Sequence, residues 1–398
     1  MRIKPVEGVE GRVQAPPSKS YTHRALFLAL LSEGESEILN PLKSDDTRAT
    51  LGAVRAFGAK ADWRRIVPPE ELRSAAVNAG ESGTTARISI AVASLARGRS
   101  VVDGGKRLRE RPMGPLIQAL RSLGVKVKGE ALPVEVAGGS VGGEVNVDAS
   151  LSSQFVTALL ILASKTGMRV RFEGAVSRPY IEMTLRTMEA FGVEFKREEG
   201  VTVFPGVKGC RFRVPGDYSS AAFLLVAGAL YGRVRVENLD PTDVQADRAI
   251  LDILREIGAE VRVGKDYVEV KRGELRSFEI DCSDFPDLFP VLTVLAAYGD
   301  GKSTIRGKQL RFKESDRVHA MALNLSRAGL RVRELEDGLE VWGGRPRGVV
   351  VEDFNDHRVV MAMAVLGLGA RGETVIRNEK VVAKSYPGFF ADLRGLLE

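Results

Sequence analysis

Two carboxylates and three clusters of cations are the residues of this chain best placed to do chemistry. Asp287 stands just ahead of Leu288-Phe289-Pro290, at the start of an apolar run, where a carboxylate must cap, pair or react. Glu314 lies in Lys313-Glu314-Ser315-Asp316-Arg317, at the opening of a helix expected over 318–328. On that helix Lys313 and Arg317, four apart, share a face, with Glu314 in reach of Arg317. The group reads either as an exposed ion-pair ladder or, taken with Asp287, as a general acid and a general base. Near the N-terminus, Pro16-Pro17-Ser18-Lys19-Ser20-Tyr21-Thr22-His23-Arg24 sets Lys19 and Arg24 among hydroxyls where another helix begins. The unpaired N–H groups of a helix start favour anions by roughly 0.3–1 kcal/mol each, so Lys19 opposes the dipole unless something negative arrives. A phosphate or carboxylate resolves the conflict; a hydroxyl cap whose lysine points into water is the alternative. A third basic group, Lys106-Arg107-Leu108-Arg109-Glu110-Arg111-Pro112, leads into a helix expected over 116–123, with Pro112 near its first turn.

An internal repeat must position these residues. A run of small and apolar residues, followed by Gly and a short strand, recurs around Gly34, Gly98, Gly167, Gly232, Gly301 and Gly372, at intervals of 64 to 71 residues. A second signature, an amphipathic helix ending apolar-Gly-apolar, recurs at Gly58, Gly124, Gly192, Gly258 and Gly329, 66 to 71 apart. Glycine there predicts a left-handed helix cap. Self-similarity at a fixed period marks supersecondary units too small to bury their own apolar faces. Each of the six units reads as a buried helix, a strand, an amphipathic helix and further strands, so the class is α/β. At 398 residues the chain exceeds the ~250–300 that one core holds, which puts three units in each of two domains. The seam is expected near 212–217, dividing 15–215 from 216–398, with the N-terminal strand 1–14 joining the second domain.

Polar residues occupy equivalent places in the repeat, just before the buried helices. The segments are Ser18-Lys19-Ser20, Ser82-Gly83-Thr84-Thr85, Ser152-Ser153-Gln154, Asp217-Tyr218-Ser219-Ser220, Asp284-Phe285-Pro286-Asp287 and Asn355-Asp356-His357-Arg358. Capping explains Ser, Thr, Asp and Asn there, but not Lys19, Arg24, Gln154 or Arg358. If the repeat turns these helix starts toward a shared cleft, their partial charges and added cations concentrate anions in it.

Composition excludes other classes. The 44% hydrophobic and 28% charged fractions are those of a soluble globular protein. A net charge of +6 suits anionic small molecules as well as nucleic acid, and no block of like charges resembles a nucleic-acid-binding tail. The two cysteines make no disulfide framework, and the first residues carry no apolar signal core, so the expected compartment is the cytoplasm. No stretch is long and apolar enough to span a membrane. His23, His319 and His357 lack metal-ligand spacing. No dinucleotide fingerprint, phosphate loop or nucleophile elbow occurs.

Nine motifs, in order from Pro16 to Phe390, resemble those of the EPSP synthase (3-phosphoshikimate 1-carboxyvinyltransferase) family. They are Pro17-Ser18-Lys19-Ser20 with Arg24, Gly80-Glu81-Ser82-Gly83-Thr84-Thr85-Ala86-Arg87, Arg109-Glu110-Arg111-Pro112-Met113, Val147 to Phe155, Ser177-Arg178-Pro179-Tyr180, Pro286-Asp287, Lys313 to Arg317, Asn355 to Arg358, and Ala383-Lys384-Ser385-Tyr386-Pro387. The resemblance implies an inside-out α/β barrel fold of two similar domains, each of three βαβαββ units, closing on substrate. It implies transfer of the enolpyruvyl group of phosphoenolpyruvate to the 5-hydroxyl of shikimate 3-phosphate, by a monomer that needs no metal or organic cofactor and has no nucleic-acid or membrane partner. Carried over, Ser20 and Arg24 hold the shikimate carboxylate, and Ser152, Ser153 and Ser177 take its 3-phosphate, with Tyr180, Gln309 and Lys313 nearby. Arg317 and Arg358 clamp the carboxylate of phosphoenolpyruvate, where a planar guanidinium outperforms lysine. Gly83, Arg111, Gln154 and Lys384 meet its phosphate, Gln154 and Asp287 also belong to the shikimate 3-phosphate site, and Lys19 touches both substrates and counts among the catalytic groups. Asp287 takes the hydroxyl proton and Glu314 protonates the methylene carbon. Gly83 also implies room for glyphosate, which mimics phosphoenolpyruvate in this family.

The chain departs from the family pattern at Glu81, usually Asn, and Gln309, usually a shorter amide. The related transferases acting on UDP-N-acetylglucosamine have Asn after the lysine and a reactive cysteine in a Gly-Gly-Cys loop. Here Ser20 follows Lys19 and the loop reads Gly104-Gly105-Lys106. A repeat protein binding RNA would show a steep salt dependence, and does not account for Ser152-Ser153-Gln154.

Overall fold

Apolar residues that recur without a polar stripe make helices that must be covered on every side, and six of the thirteen α-helices among the described residues are of that kind. The computed structural model describes residues 1–139 and 141–397. In chain order its helices are α1 (Lys19–Leu31), α2 (Asp45–Ala56), α3 (Gly83–Ala93), α4 (Lys106–Arg109), α5 (Gly114–Ser122), α6 (Gln154–Thr166), α7 (Pro179–Ala190), α8 (Tyr218–Tyr231), α9 (Ile250–Glu256), α10 (Phe289–Tyr298), α11 (Arg317–Arg327), α12 (His357–Leu368) and α13 (Phe389–Arg394). The chain divides into two units, one of Pro17–Val214 and one of Met1–Pro16 with Pro215–Glu398.

In the N-terminal unit, α1, α3 and α6 touch one another, and in the C-terminal unit α8, α10 and α12 do the same. Every residue from Phe155 to Ser164 of α6 is buried. At about 1.5–3 kcal/mol for each large apolar side chain removed from water, such a helix is held by its surroundings rather than by its own propensity. Truncating Leu160 to alanine would cost about 2–5 kcal/mol through the cavity left behind.

Around each trio stand three sheets. In the N-terminal unit the strand Gly143–Asp148 runs parallel to Met168–Glu173 across α6, with Val145 opposite Val170. An antiparallel hairpin, Phe195–Glu198 and Gly200–Val203, then completes the four-stranded sheet. The other repeats follow this pattern, with one sheet of three strands: Arg2–Ile3, Thr374–Ile376 and Val350–Val351. Three sheets are completed by strands from far along the chain, the three-stranded one by Arg2–Ile3 against Thr374–Ile376. Arg211–Arg213 lies parallel to Ser36–Leu39, and Val9–Gln14 lies parallel to Gly232–Glu237.

The five glycines after the amphipathic helices all have left-handed backbone, with φ +70° at Gly192 and +83° at Gly329. One local expectation shifts and one fails. The helix expected over 116–123 starts at Gly114 with Pro115 in its first turn, and Lys106–Arg109 is a separate turn. The helix expected to carry Lys313 and Arg317 on one face begins only at Arg317. Asp316 is its extended N-cap, accepting from the His319 N–H at 3.1 Å, and Lys313 lies outside in extended backbone.

Candidate active site

Each unit gathers its helix starts through side-chain bonds. In the N-terminal unit, Lys19 at the start of α1 pairs with Asp46 on α2 at 2.8 Å. Arg24, one turn on, is 2% exposed. Its Nε donates to Thr184 (2.9 Å), one Nη to the Ser20 carbonyl (2.9 Å), and the other Nη to the Tyr180 carbonyl (2.9 Å) and the Thr157 hydroxyl (3.3 Å). These partners are all neutral oxygens. Burial therefore pulls the guanidinium down to about 10, a shift that the Tyr21 and Tyr180 phenols oppose. A buried cation solvated only by dipoles gains most from an arriving anion.

Ser82 caps α3, and Gly83 opens it beneath two guanidiniums. A methyl group on Gly83 would meet Arg111 Nη1 at 2.8 Å and Arg87 Nη1 at 2.9 Å. Arg87 donates to the Gln154 amide oxygen at 2.5 Å and to the Pro112 carbonyl at 2.9 Å, and it lies over the Phe155 ring. Ser153 and Arg111 are buried, while Ser20, Ser152, Gln154 and Tyr180 are partly exposed. The Gln154 N–H donates to the Ser152 hydroxyl at 3.2 Å. Ser177, ahead of α7, has φ +54°. That backbone is uncommon for a residue with a Cβ and is tolerated where a structure needs it.

The C-terminal unit concentrates acids around two arginines. Arg317 is fully buried. Its Nε bonds Asp356 (3.0 Å), Nη1 bonds Asp287 (2.7 Å), and Nη2 bonds Glu314 (2.8 Å). Arg358 reaches the other oxygen of Asp287 at 3.1 Å, with Lys313 at 3.8 Å from the first. Burial opposes the charge of Asp287, but Arg358, Lys313 and Arg317 outweigh it and hold the carboxyl well below the usual carboxylate range. The exposed ion-pair ladder reading fails here, because Arg317 is fully buried. Lys384 donates to the Asn355 carbonyl at 2.6 Å, and Asn355 itself has φ +53°. Gln309 is buried and donates to the Ser283 carbonyl at 2.6 Å.

Sequence reasoning gave no role to Asp46, Arg87, Asp247 or Asp356. Asp247 is buried and accepts from the Ser219 hydroxyl, while the Ser219 carbonyl accepts from Arg358 at 3.3 Å. Burial and the nearby Asp287 push the Asp247 carboxyl up to about 7, against the pull of Arg358. Asp356 was legible as a cap, but not as a third acid on Arg317. Among the described residues no group of three or more His, Cys, Asp or Glu could hold a metal ion, and no helix is long and apolar enough to cross a membrane.

The family model described as EPSP synthase (3-phosphoshikimate 1-carboxyvinyltransferase) matches residues 3–393. The chain belongs to the EPSP synthase family. It is 61% identical to a 3-phosphoshikimate 1-carboxyvinyltransferase of Thermococcus kodakarensis, with each chain covered in full. It is 60% identical to one of Pyrococcus abyssi over 100% of this chain and 97% of the relative. The EPSP synthase structure from Acinetobacter baumannii superposes with a TM-score of 0.82 at 26% identity, covering 100% of this chain and 98% of that one. The enolpyruvyl transferase fold follows, as does the transferase class. Against the usual EPSP synthase pattern, Glu81 has a structural use. Its carboxylate accepts from the Leu108 N–H at 3.2 Å and lies against Gly105, leaving no space there for a Cβ.

Proposed function

We infer that this protein transfers the enolpyruvyl group of phosphoenolpyruvate to the 5-hydroxyl of shikimate 3-phosphate, releasing phosphate by addition and elimination through a tetrahedral intermediate. The observation that carries the reading is a single guanidinium, Arg317, holding both Asp287 and Glu314. An acid and a base on one cation suit a reaction that moves a proton off a hydroxyl and onto a carbon.

Arg317 and Arg358 take the carboxylate of phosphoenolpyruvate, which competes with Asp287 for them. Losing those partners relieves Asp287 of the field that keeps it a weak base, and it accepts the proton of the attacking 5-hydroxyl. Glu314 protonates the methylene carbon, and the new C–O bond forms at the adjacent carbon. Loss of phosphate from the tetrahedral carbon, with a methyl proton returned to Glu314, restores the double bond and gives the enol ether product. Lys19, Gly83, Arg111, Gln154 and Lys384 receive the phosphate of phosphoenolpyruvate. Ser20 and Arg24 hold the carboxylate of shikimate 3-phosphate, while Ser152, Ser153, Ser177, Tyr180, Gln309 and Lys313 surround its phosphate. Two phosphates and two carboxylates account for the number of cations. The two three-repeat units serve as domains of a cytoplasmic monomer that binds these small molecules alone.

The test is phosphate release from phosphoenolpyruvate. It is expected to depend strictly on shikimate 3-phosphate, and release that ignores the second substrate overturns the reading.

A further inference from the structure

A line of four polar side chains runs through the packed interior of the N-terminal unit and ends at the start of α3. His23 Nδ1 lies 2.7 Å from the Thr50 hydroxyl. Thr50 lies 2.6 Å from the Thr85 hydroxyl, which donates to Ser82 Oγ at 2.7 Å. All four residues are at most 2% exposed.

Counting protons fixes the direction. A hydroxyl has one proton to give. Thr85 spends its proton on Ser82, since its other acceptor, the Asp46 carbonyl, is 3.5 Å away. Thr50 must then donate to Thr85, and His23 must donate from Nδ1 to Thr50. His23 is accordingly the neutral Nδ1–H tautomer, and its Nε2 is buried with no hydrogen-bond partner among the described residues. Reversing the line would leave an N–H at that nitrogen, and buried orphan N–H groups are rarer than orphan acceptors. Burial, Lys19 and Arg24 all oppose a second proton on the ring.

At the far end Ser82 Oγ already accepts twice, from the Thr85 N–H at 3.2 Å and from the Thr85 hydroxyl. Its own proton has no acceptor left in the line. We propose that His23, Thr50 and Thr85 act as positioning residues, forming a one-way hydrogen-bond relay that turns the Ser82 hydroxyl into a dedicated donor to the phosphate of phosphoenolpyruvate. The assignment of the α3 start to that phosphate rests on the proposed function. The relay itself rests only on the geometry above. Lys19 and His23 lie one turn apart on α1, as Asp46 and Thr50 do on α2. The layer that orders the relay is thus the layer that anchors Lys19. A chain of hydrogen bonds pointing one way polarises its last donor.

Two measurements decide. In the intact protein labelled with 15N-histidine, the His23 ring, assigned by the resonance lost in His23→Asn, is expected to carry its proton on Nδ1. An Nε2–H signal overturns the relay, and this measurement needs no activity. In steady-state assays Ser82→Ala is expected to raise the KM for phosphoenolpyruvate about 10- to 100-fold, the range for one bond to a charged group. Thr50→Val is expected to raise it about 3- to 10-fold, with kcat and the KM for shikimate 3-phosphate unchanged, because the bond is weakened rather than lost. Thr50→Ser restores the wild-type value, and the Ser82→Ala/Thr50→Val double variant is no worse than Ser82→Ala alone. Additive effects, or equal losses for both substrates, overturn the proposal. A wild-type protein with no phosphate release dependent on shikimate 3-phosphate sinks the functional reading instead, and the tautomer still decides the relay.

Discussion

Arg24 in the N-terminal unit and Arg317 in the C-terminal unit are both buried, yet their charges are met in opposite ways. Arg24 is ringed by two hydroxyls and two carbonyls. Arg317 is gripped by three carboxylates. The first arrangement leaves positive potential to be used and suits a site that collects an anionic substrate. The second, counted with Arg358 and Lys313, is close to neutral, and in the proposed mechanism it holds the acid and the base until a competing carboxylate redistributes the partners. One protein thus separates attraction from reaction by how fully it compensates each arginine.

Substitutions can break that contrast. The largest expected effect is at Arg317→Met, which strands the buried Asp356 and the part-buried Asp287 and Glu314. It is expected to destabilise the protein by about 3–5 kcal/mol, read from denaturant unfolding, and a loss below about 1 kcal/mol would show that the cluster is not a unit. Glu314→Gln and Asp287→Asn keep the shapes and should fold, bind shikimate 3-phosphate normally and lose roughly 10²–10⁴ in kcat. Near-normal turnover in either removes that residue from the mechanism. Arg24→Met sharpens the other side of the comparison. It is expected to change stability by less than about 1 kcal/mol, because a buried charge without an acidic partner contributes little net. The dissociation constant for shikimate 3-phosphate should rise about 10- to 100-fold by calorimetry, the loss of a bond to a charged group; an unchanged constant refutes the role.

The smallest expected effect is a pH slope. His23 is held well below its ordinary 6.5, first by burial and then by Lys19 and Arg24. The unfolded chain therefore binds a proton that the folded one refuses. Its contribution is constant above 6.5 and falls by about 1.4 kcal/mol for each pH unit below that value, until the folded pKa is reached. Wild type should lose more stability between pH 6.5 and 5 than His23→Asn does, and parallel curves for the two proteins would count against a buried neutral ring.

The repeat was legible because glycine after a helix has one dominant cause, and Gly58, Gly124, Gly192, Gly258 and Gly329 repeat it in phase. The apolar helices were legible from lack of a polar stripe. What the residues did not disclose is partnership across long separations. Thr157 and Thr184 lie 133 and 160 residues from the arginine they solvate, and threonine within a helix carries no mark of that task. Lys313 and Arg317 failed for a different reason. Spacing alone implied one helical face, but the Asp316 cap ended the helix between them. Asp247 gave no sign at all, because its importance lies in being buried near Asp287.

The strand pairing has a consequence for how the polypeptide comes into being. Val9–Gln14 emerges early but finds its neighbour, Gly232–Glu237, only after the whole Pro17–Val214 unit has been made. That β-segment must wait unpaired through more than half of translation. A split between Val214 and Pro215 would give a 17–214 fragment that keeps all its strands and a 215–398 fragment with a bare sheet edge, prone to seek the same strand in another molecule.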